Sequence, residues 1–176
     1  MISAHYLHLL INHFPVILPI VSLFLFLSYL LIKNENTKKT IIMIAYIILI
    51  FSAIITYPTF VSGGNAEELI EKLDNVEEVF IERHEEIAET FAYLSYLLGA
   101  ISIVGFWSVF KSKPFAKYIY YVAFVVTFIV IIISGQTSNT GGEIRHQEIR
   151  SDFKLGNINN KQNKNSNAEN ENEDNH

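Results

Sequence analysis

Four long apolar stretches limit what this chain can fold into. They run from about Ala4 to Ile32, from Thr40 to about Phe60, from about Phe91 to Phe110 and from about Phe115 to Ser134. Each is close to the roughly 20 residues that a helix needs to cross about 30 Å of hydrocarbon. The first and second, and the third and fourth, are separated by short polar or charged turns, so they read as membrane spans rather than as the core of a water-soluble domain.

The composition agrees. Half of the 176 residues are hydrophobic and mean hydropathy is +0.26, with the apolar residues gathered in blocks. The expected fold is all-α: a transmembrane four-helix bundle over residues 1–154. It is followed by a tail, 155–176, rich in Asn, Lys and Glu, which lacks the apolar residues to fold alone. The chain contains no cysteine, which excludes disulfides, thiolate metal sites and covalent haem attachment. The net charge of −5 comes largely from loops and tail, and no basic, aromatic-interleaved segment points to nucleic acid. The opening Met-Ile-Ser-Ala-His lacks a positive n-region and reads as the start of the first span, not as a cleaved signal peptide.

Lysine placement predicts the orientation. Lys33, Lys38 and Lys39 lie between spans one and two, and Lys111, Lys113 and Lys117 between spans three and four. Short positive loops face the cytoplasm. The remaining loop is acidic from Glu67 to Glu89, with only Lys72 and Arg83 as counter-charges. Both termini and the acidic loop are therefore expected outside, as in a multi-pass protein of a bacterial inner membrane with periplasmic termini. Helical spacing of Val76, Val79, Phe80, Ile87 and Phe91 predicts that helices two and three extend beyond the membrane. Pro15 and Pro19 predict a kink in the first span. The glycine pairs Gly63-Gly64 and Gly141-Gly142 read as helix stops and turns, or as places where backbone approaches a flat ligand.

This orientation gathers the histidines. His5, His8 and His13 fall at the outer end of span one, His84 just before span three and His146 after span four; only His176, in the tail, is elsewhere. Ionisable side chains near a membrane point to function. At about 100° per residue, His8 lies roughly 60° from His5 and about 140° from His13, so one ion cannot easily take all three from a straight helix. Arg145 and Arg150 lie on the same side, and arginine forks suit carboxylates such as haem propionates. Alternatively, Arg145 simply pairs with Glu143 or Glu148. Glu85, Glu86 and Glu143 are candidates to orient a ligand histidine.

These residues resemble an uncharacterised family of bacterial four-span membrane proteins with an H-x-x-H-x-x-x-x-H-F-P signature, a domain of unknown function. Here the signature reads His5, His8, His13, Phe14 and Pro15. The resemblance extends to a small-residue turn after span two, Ser62-Gly63-Gly64, to His84 opening span three, and to Gly141-Gly142 with His146 after span four. It covers about residues 3 to 150. Where relatives often carry prolines after the first two histidines, this chain has Tyr6 and Leu9. Association of that family with c-type cytochromes implies a respiratory or redox setting and a c-type cytochrome or other respiratory subunit as partner.

The leading expectation is a haem b protein that transfers electrons at the outer face. The cofactor would be held by two histidines drawn from His5, His8, His13, His84 and His146, with Arg145 beside it. Five histidines allow up to two such haems, and the favoured pairing joins His8 or His13 to His84 or His146. A second reading has three of the five binding a Zn, Cu or Fe ion with Glu85, Glu89 or Glu143, as in a membrane hydrolase or oxidase whose glutamate serves as base. A third is a structural anchor subunit for soluble cytochromes. The bilayer is the one certain surroundings, and an oligomer is compatible with all three.

Overall fold

The computed structural model describes residues 4–70, 78–146 and 150. The expected tail, and the middle of the acidic loop, lie outside the described residues. Five helices follow one another: α1 (Ala4–Ile11), α2 (Phe14–Leu31), α3 (Glu35–Ile70), α4 (Glu78–Phe110) and α5 (Ala116–Arg145). No strand occurs among the described residues, and four helices are long and apolar enough to cross a membrane, α1 and α2 together making the first.

The break between α1 and α2 falls at Asn12-His13. Its cause is Pro15. A proline lacks the N–H of a helical bond and disfavours helical backbone just before it, but it fits the first turn of a new helix. Accordingly α1 closes with Asn12 N–H on the His8 carbonyl (2.9 Å) and α2 opens with Ile17 N–H on the His13 carbonyl (2.9 Å). The kink expected from Pro15 is therefore a full interruption. Pro19, by contrast, sits inside α2.

α3 and α4 have 36 and 33 residues, about 50 Å each at 1.5 Å per residue, well beyond a bilayer core. The extension of helices two and three is thus observed. One expectation fails here. Gly63-Gly64 and Gly141-Gly142 are not helix stops: α3 continues through the first pair to Ile70 and α5 through the second to Arg145. A terminating glycine takes positive φ, and no glycine among the described residues does so.

The helices form a closed ring: α2 packs on α3, α3 on α4, α4 on α5, and α5 returns to α2, while α1 lies against α3. The ring is apolar outside, with Phe24, Ile54, Ile103 and Phe128 among its exposed side chains. Inside it buries small and hydroxylated residues: Ser22, Ser52, Thr56, Ser95, Ser102 and Thr127. Lipid supplies no hydrophobic drive between helices, so close approach at small residues holds them. Most hydroxyls donate back to their own helix, as Thr127 Oγ1 does to the Ala123 carbonyl (2.7 Å). Two donate across: Ser22 Oγ to the Ala45 carbonyl (3.3 Å) and Tyr120 Oη to the Phe26 carbonyl (2.8 Å). Phe26 meets Tyr46 and Tyr120 edge-on, with centroids 5.6 and 5.5 Å apart, and ties α2, α3 and α5 together.

The two lysine loops share one end of the bundle, where Lys39 Nζ donates to Ser112 Oγ (3.4 Å). Asn34 Oδ1 caps α3 by accepting from the Thr37 N–H (3.0 Å). Ser112 ends α4 in left-handed backbone, φ 49°. Its N–H bonds the Val109 carbonyl and that of Lys113 bonds the Ser108 carbonyl, the pair that defines a Schellman motif. Glycine adopts this backbone without strain, so Ser112→Gly is expected to stabilise the bundle by about 1 kcal/mol. Thermal melting in detergent, followed by circular dichroism, checks this; an unchanged or lower midpoint contradicts it.

Candidate functional site

The end opposite the lysine loops carries His8 and His84. Each reaches across to a neighbouring helix. His8, on α1, places Nδ1 3.0 Å from the Thr59 carbonyl of α3. A carbonyl only accepts, so Nδ1 carries the proton. Its ring lies against Gly63, where a Cβ would come within 3.2 Å of His8 Cε1.

His84, on α4, places Nδ1 3.0 Å from Thr140 Oγ1 of α5. The Thr140 hydroxyl donates to the Gln136 or Thr137 carbonyl, both 3.1 Å away. When it does so, it accepts from His84 Nδ1–H. The His84 ring lies against Gly141, where a Cβ would fall 3.0 Å from Cε1. His8 is thus the Nδ1–H tautomer, with the Nε2 lone pair left for a ligand; His84 shares that form when Thr140 donates to its own helix. An acceptor on the far ring nitrogen is the usual support of a metal-bound histidine.

The two rings interact. His84 lies seven residues before Phe91, outside the uncharged part of its helix. Burial pushes its pKa below the usual histidine value, and the charge of a protonated His8 pushes in the same direction. A hydrogen bond to the Thr137 backbone partly offsets both. A neutral imidazole is the form that binds metal.

His13 is exposed at the α1–α2 break and His146 is exposed at the end of α5, its N–H on the Gly142 carbonyl (2.9 Å). The side chains of His5 and Arg145 lie outside the described residues, as do Glu148 and His176. Glu85, Glu86 and Glu89 are exposed. Glu143 instead accepts from Asn139 Nδ2 (2.7 Å) and pairs with Arg83 at 3.5 Å. The hydrogen-bond partners of His8 and His84 are Thr59 and Thr140, and not Glu85, Glu86 or Glu143. Among the described residues, no three of His, Cys, Asp or Glu converge where they could hold a metal ion. An open groove of about 480 Å³ runs between α4 and α5, lined by Arg83, Ile87, Ile132, Gln136, Asn139 and Thr140 among others. Thr140 therefore borders both His84 and this groove.

Sequence reasoning did not single out Thr59, Thr137 or Thr140. Their signal is a six-residue pattern, Thr-x-x-Ser/Thr-Gly-Gly, that occurs twice, as Thr59-Phe-Val-Ser-Gly-Gly64 and as Thr137-Ser-Asn-Thr-Gly-Gly142. No protein family, curated protein or solved structure matches the chain.

Proposed function

We propose that this chain is a membrane electron-transfer protein that holds a b-type haem through His8 and His84, at the end of the bundle away from its lysine loops. One observation carries the reading: two imidazoles on different helices, each anchored through Nδ1 to a neighbouring helix, can both present Nε2 to a ligand. Paired histidines from facing helices hold non-covalent haem in helical bundles, and the donor set fits that group. When bound, haem supplies reversible one-electron chemistry. The protein's own part is to orient both rings and to favour the neutral form of His84. The bordering groove brings Arg83 to the same end, with a guanidinium of the kind that binds carboxylates.

The lysine loops support a cytoplasmic placement of their end and a periplasmic placement of the histidine end, in a bacterial inner membrane. With the site at one end only, electrons cross the membrane through a partner; a c-type cytochrome or other respiratory subunit fits. The three-histidine ion site has no third ligand among the described residues.

The test is a spectrum. Protein purified after haem-replete expression is expected to show a sharp Soret band and, on reduction, the split visible bands of low-spin bis-imidazole haem. Colourless protein carrying no stoichiometric metal would leave the structural-anchor reading in its place.

A further inference from the structure

His8 and His84 occupy matching places in two halves of the chain. A shift of 76 positions carries His8 onto His84. The same shift carries all four buried residues of α2, Pro15, Pro19, Ser22 and Phe26, onto Phe91, Ser95, Leu98 and Ser102, each buried in α4. The second helix of each half behaves alike. A shift of 78 positions carries Thr59, Ser62, Gly63 and Gly64 onto Thr137, Thr140, Gly141 and Gly142. It also carries buried Ile42, Ala45, Leu49, Ser52, Thr56 and Ala66 of α3 onto buried Tyr120, Ala123, Thr127, Val130, Ser134 and Ile144 of α5. Tyr46 is the buried α3 position that fails, falling on half-buried Phe124.

Any two helices can be slid into partial agreement, because both bury one face with the same period. The period does not explain why the shift that matches burial also superposes the hexapeptide, or why nearly the same shift superposes the histidines. Contacts repeat as well. His8 bonds the Thr59 backbone and lies on Gly63; His84 bonds the side chain of Thr140, the counterpart of Ser62, and lies on Gly141. Each half starts at the histidine end, turns at a lysine loop and returns. Halves that run in the same direction are related by rotation about an axis along the bundle, as in parallel-repeat membrane proteins. That rotation exchanges α2 with α4 and α3 with α5, and maps the ring of helix neighbours onto itself.

We infer that the bundle is a duplicated helical hairpin, and that His8 and His84 are the two halves of one site on its internal two-fold axis. The chain then takes one metal centre, ligated by one imidazole from each hairpin. This rests on the reading of the pair as a haem site and narrows it. The remaining histidines have no counterparts: the shifts set His5 against Ile81, His13 against Glu89 and His146 against Glu68. They are outside the ligand set, so the chain holds one haem and not two. One imidazole from each hairpin would hold a haem, which supplies one-electron chemistry when bound.

The experiment uses full-length protein expressed with excess haem, and compares His8→Ala, His84→Ala, His5→Ala, His13→Ala and His146→Ala. One haem per chain is expected. His8→Ala and His84→Ala should each lose affinity on the order of tenfold or more, convert what remains to a single-imidazole spectrum, and regain the low-spin spectrum when imidazole is added. The other three variants should match the parent. Two haems per chain would overturn the inference, as would loss in His13→Ala or His146→Ala equal to that in His84→Ala. One bare ion per chain, lost equally in His8→Ala and His84→Ala, would support the shared site while refuting haem. If the parent binds neither, the haem reading fails and the duplication is still decided by imidazole ¹⁵N shifts of the ligand-free protein. Both histidines in the Nδ1–H form support it, and opposite tautomers refute it.

Discussion

Leucine at Gly141 is expected to abolish ligand binding while leaving the bundle folded. A mere Cβ at Gly141 would already fall 3.0 Å from His84 Cε1. A methyl is tolerable if the ring moves by a few tenths of an ångström, but an isobutyl group needs the whole volume of the imidazole. The side chain that yields is His84, which is half-buried at the bundle's end, so melting should change little. Bound haem should fall to the level of His84→Ala. Gly64→Ala is the contrast, in the other copy of the same motif. No neighbouring atom lies within 4 Å of a Cβ there. Alanine in place of a helical glycine should stabilise by roughly 0.5–1 kcal/mol and leave ligand binding intact. Haem titration and thermal melting of both variants decide the matter. Full binding in Gly141→Leu would refute the seat assigned to His84.

Alanine at Gly99 is expected to have the largest effect on stability. Gly99 of α4 faces Ala53 of α3, and a new methyl would collide with the Ala53 Cβ. Neither group can swing aside, since both are fixed to helical backbone. The helices must therefore part, in a bundle whose cohesion depends on close contact. Overpacking of this kind costs about 1–3 kcal/mol. Ala53→Gly should recover most of that loss in the double variant, because it restores the missing space. A double-mutant cycle on melting in detergent measures the coupling; additive effects would show that the two residues do not oppose each other.

The spans, their length and the break before Pro15 were legible because each follows from a local rule: apolar length, lysine placement and the missing N–H of proline. Joining His8 to His84, as we propose, is one of the four combinations the sequence favoured. The H-x-x-H-x-x-x-x-H-F-P signature put His13 beside the others, and the interruption at Asn12-His13 leaves it exposed. The glycine pairs were misread for a physical reason. Glycine usually ends a helix by adopting positive φ; here Gly63 and Gly141 stay helical and leave room for an imidazole. A penalty of about 1 kcal/mol per glycine in a helix interior is tolerable in helices of 36 and 30 residues. The threonine acceptors were invisible to a search for charged or metal-binding groups. They became visible only once one hexapeptide was seen to support both rings.

The interruption before Pro15 makes the two histidines mechanically unequal although they are geometrically alike. His84 belongs to a continuous helix of 33 residues. His8 rides on α1, which has eight residues, fewer than the 12–15 an isolated helix needs to persist in water. α1 therefore owes its shape to its bed on α3, so His8 is held in place by tertiary contact where His84 is held by its own helix.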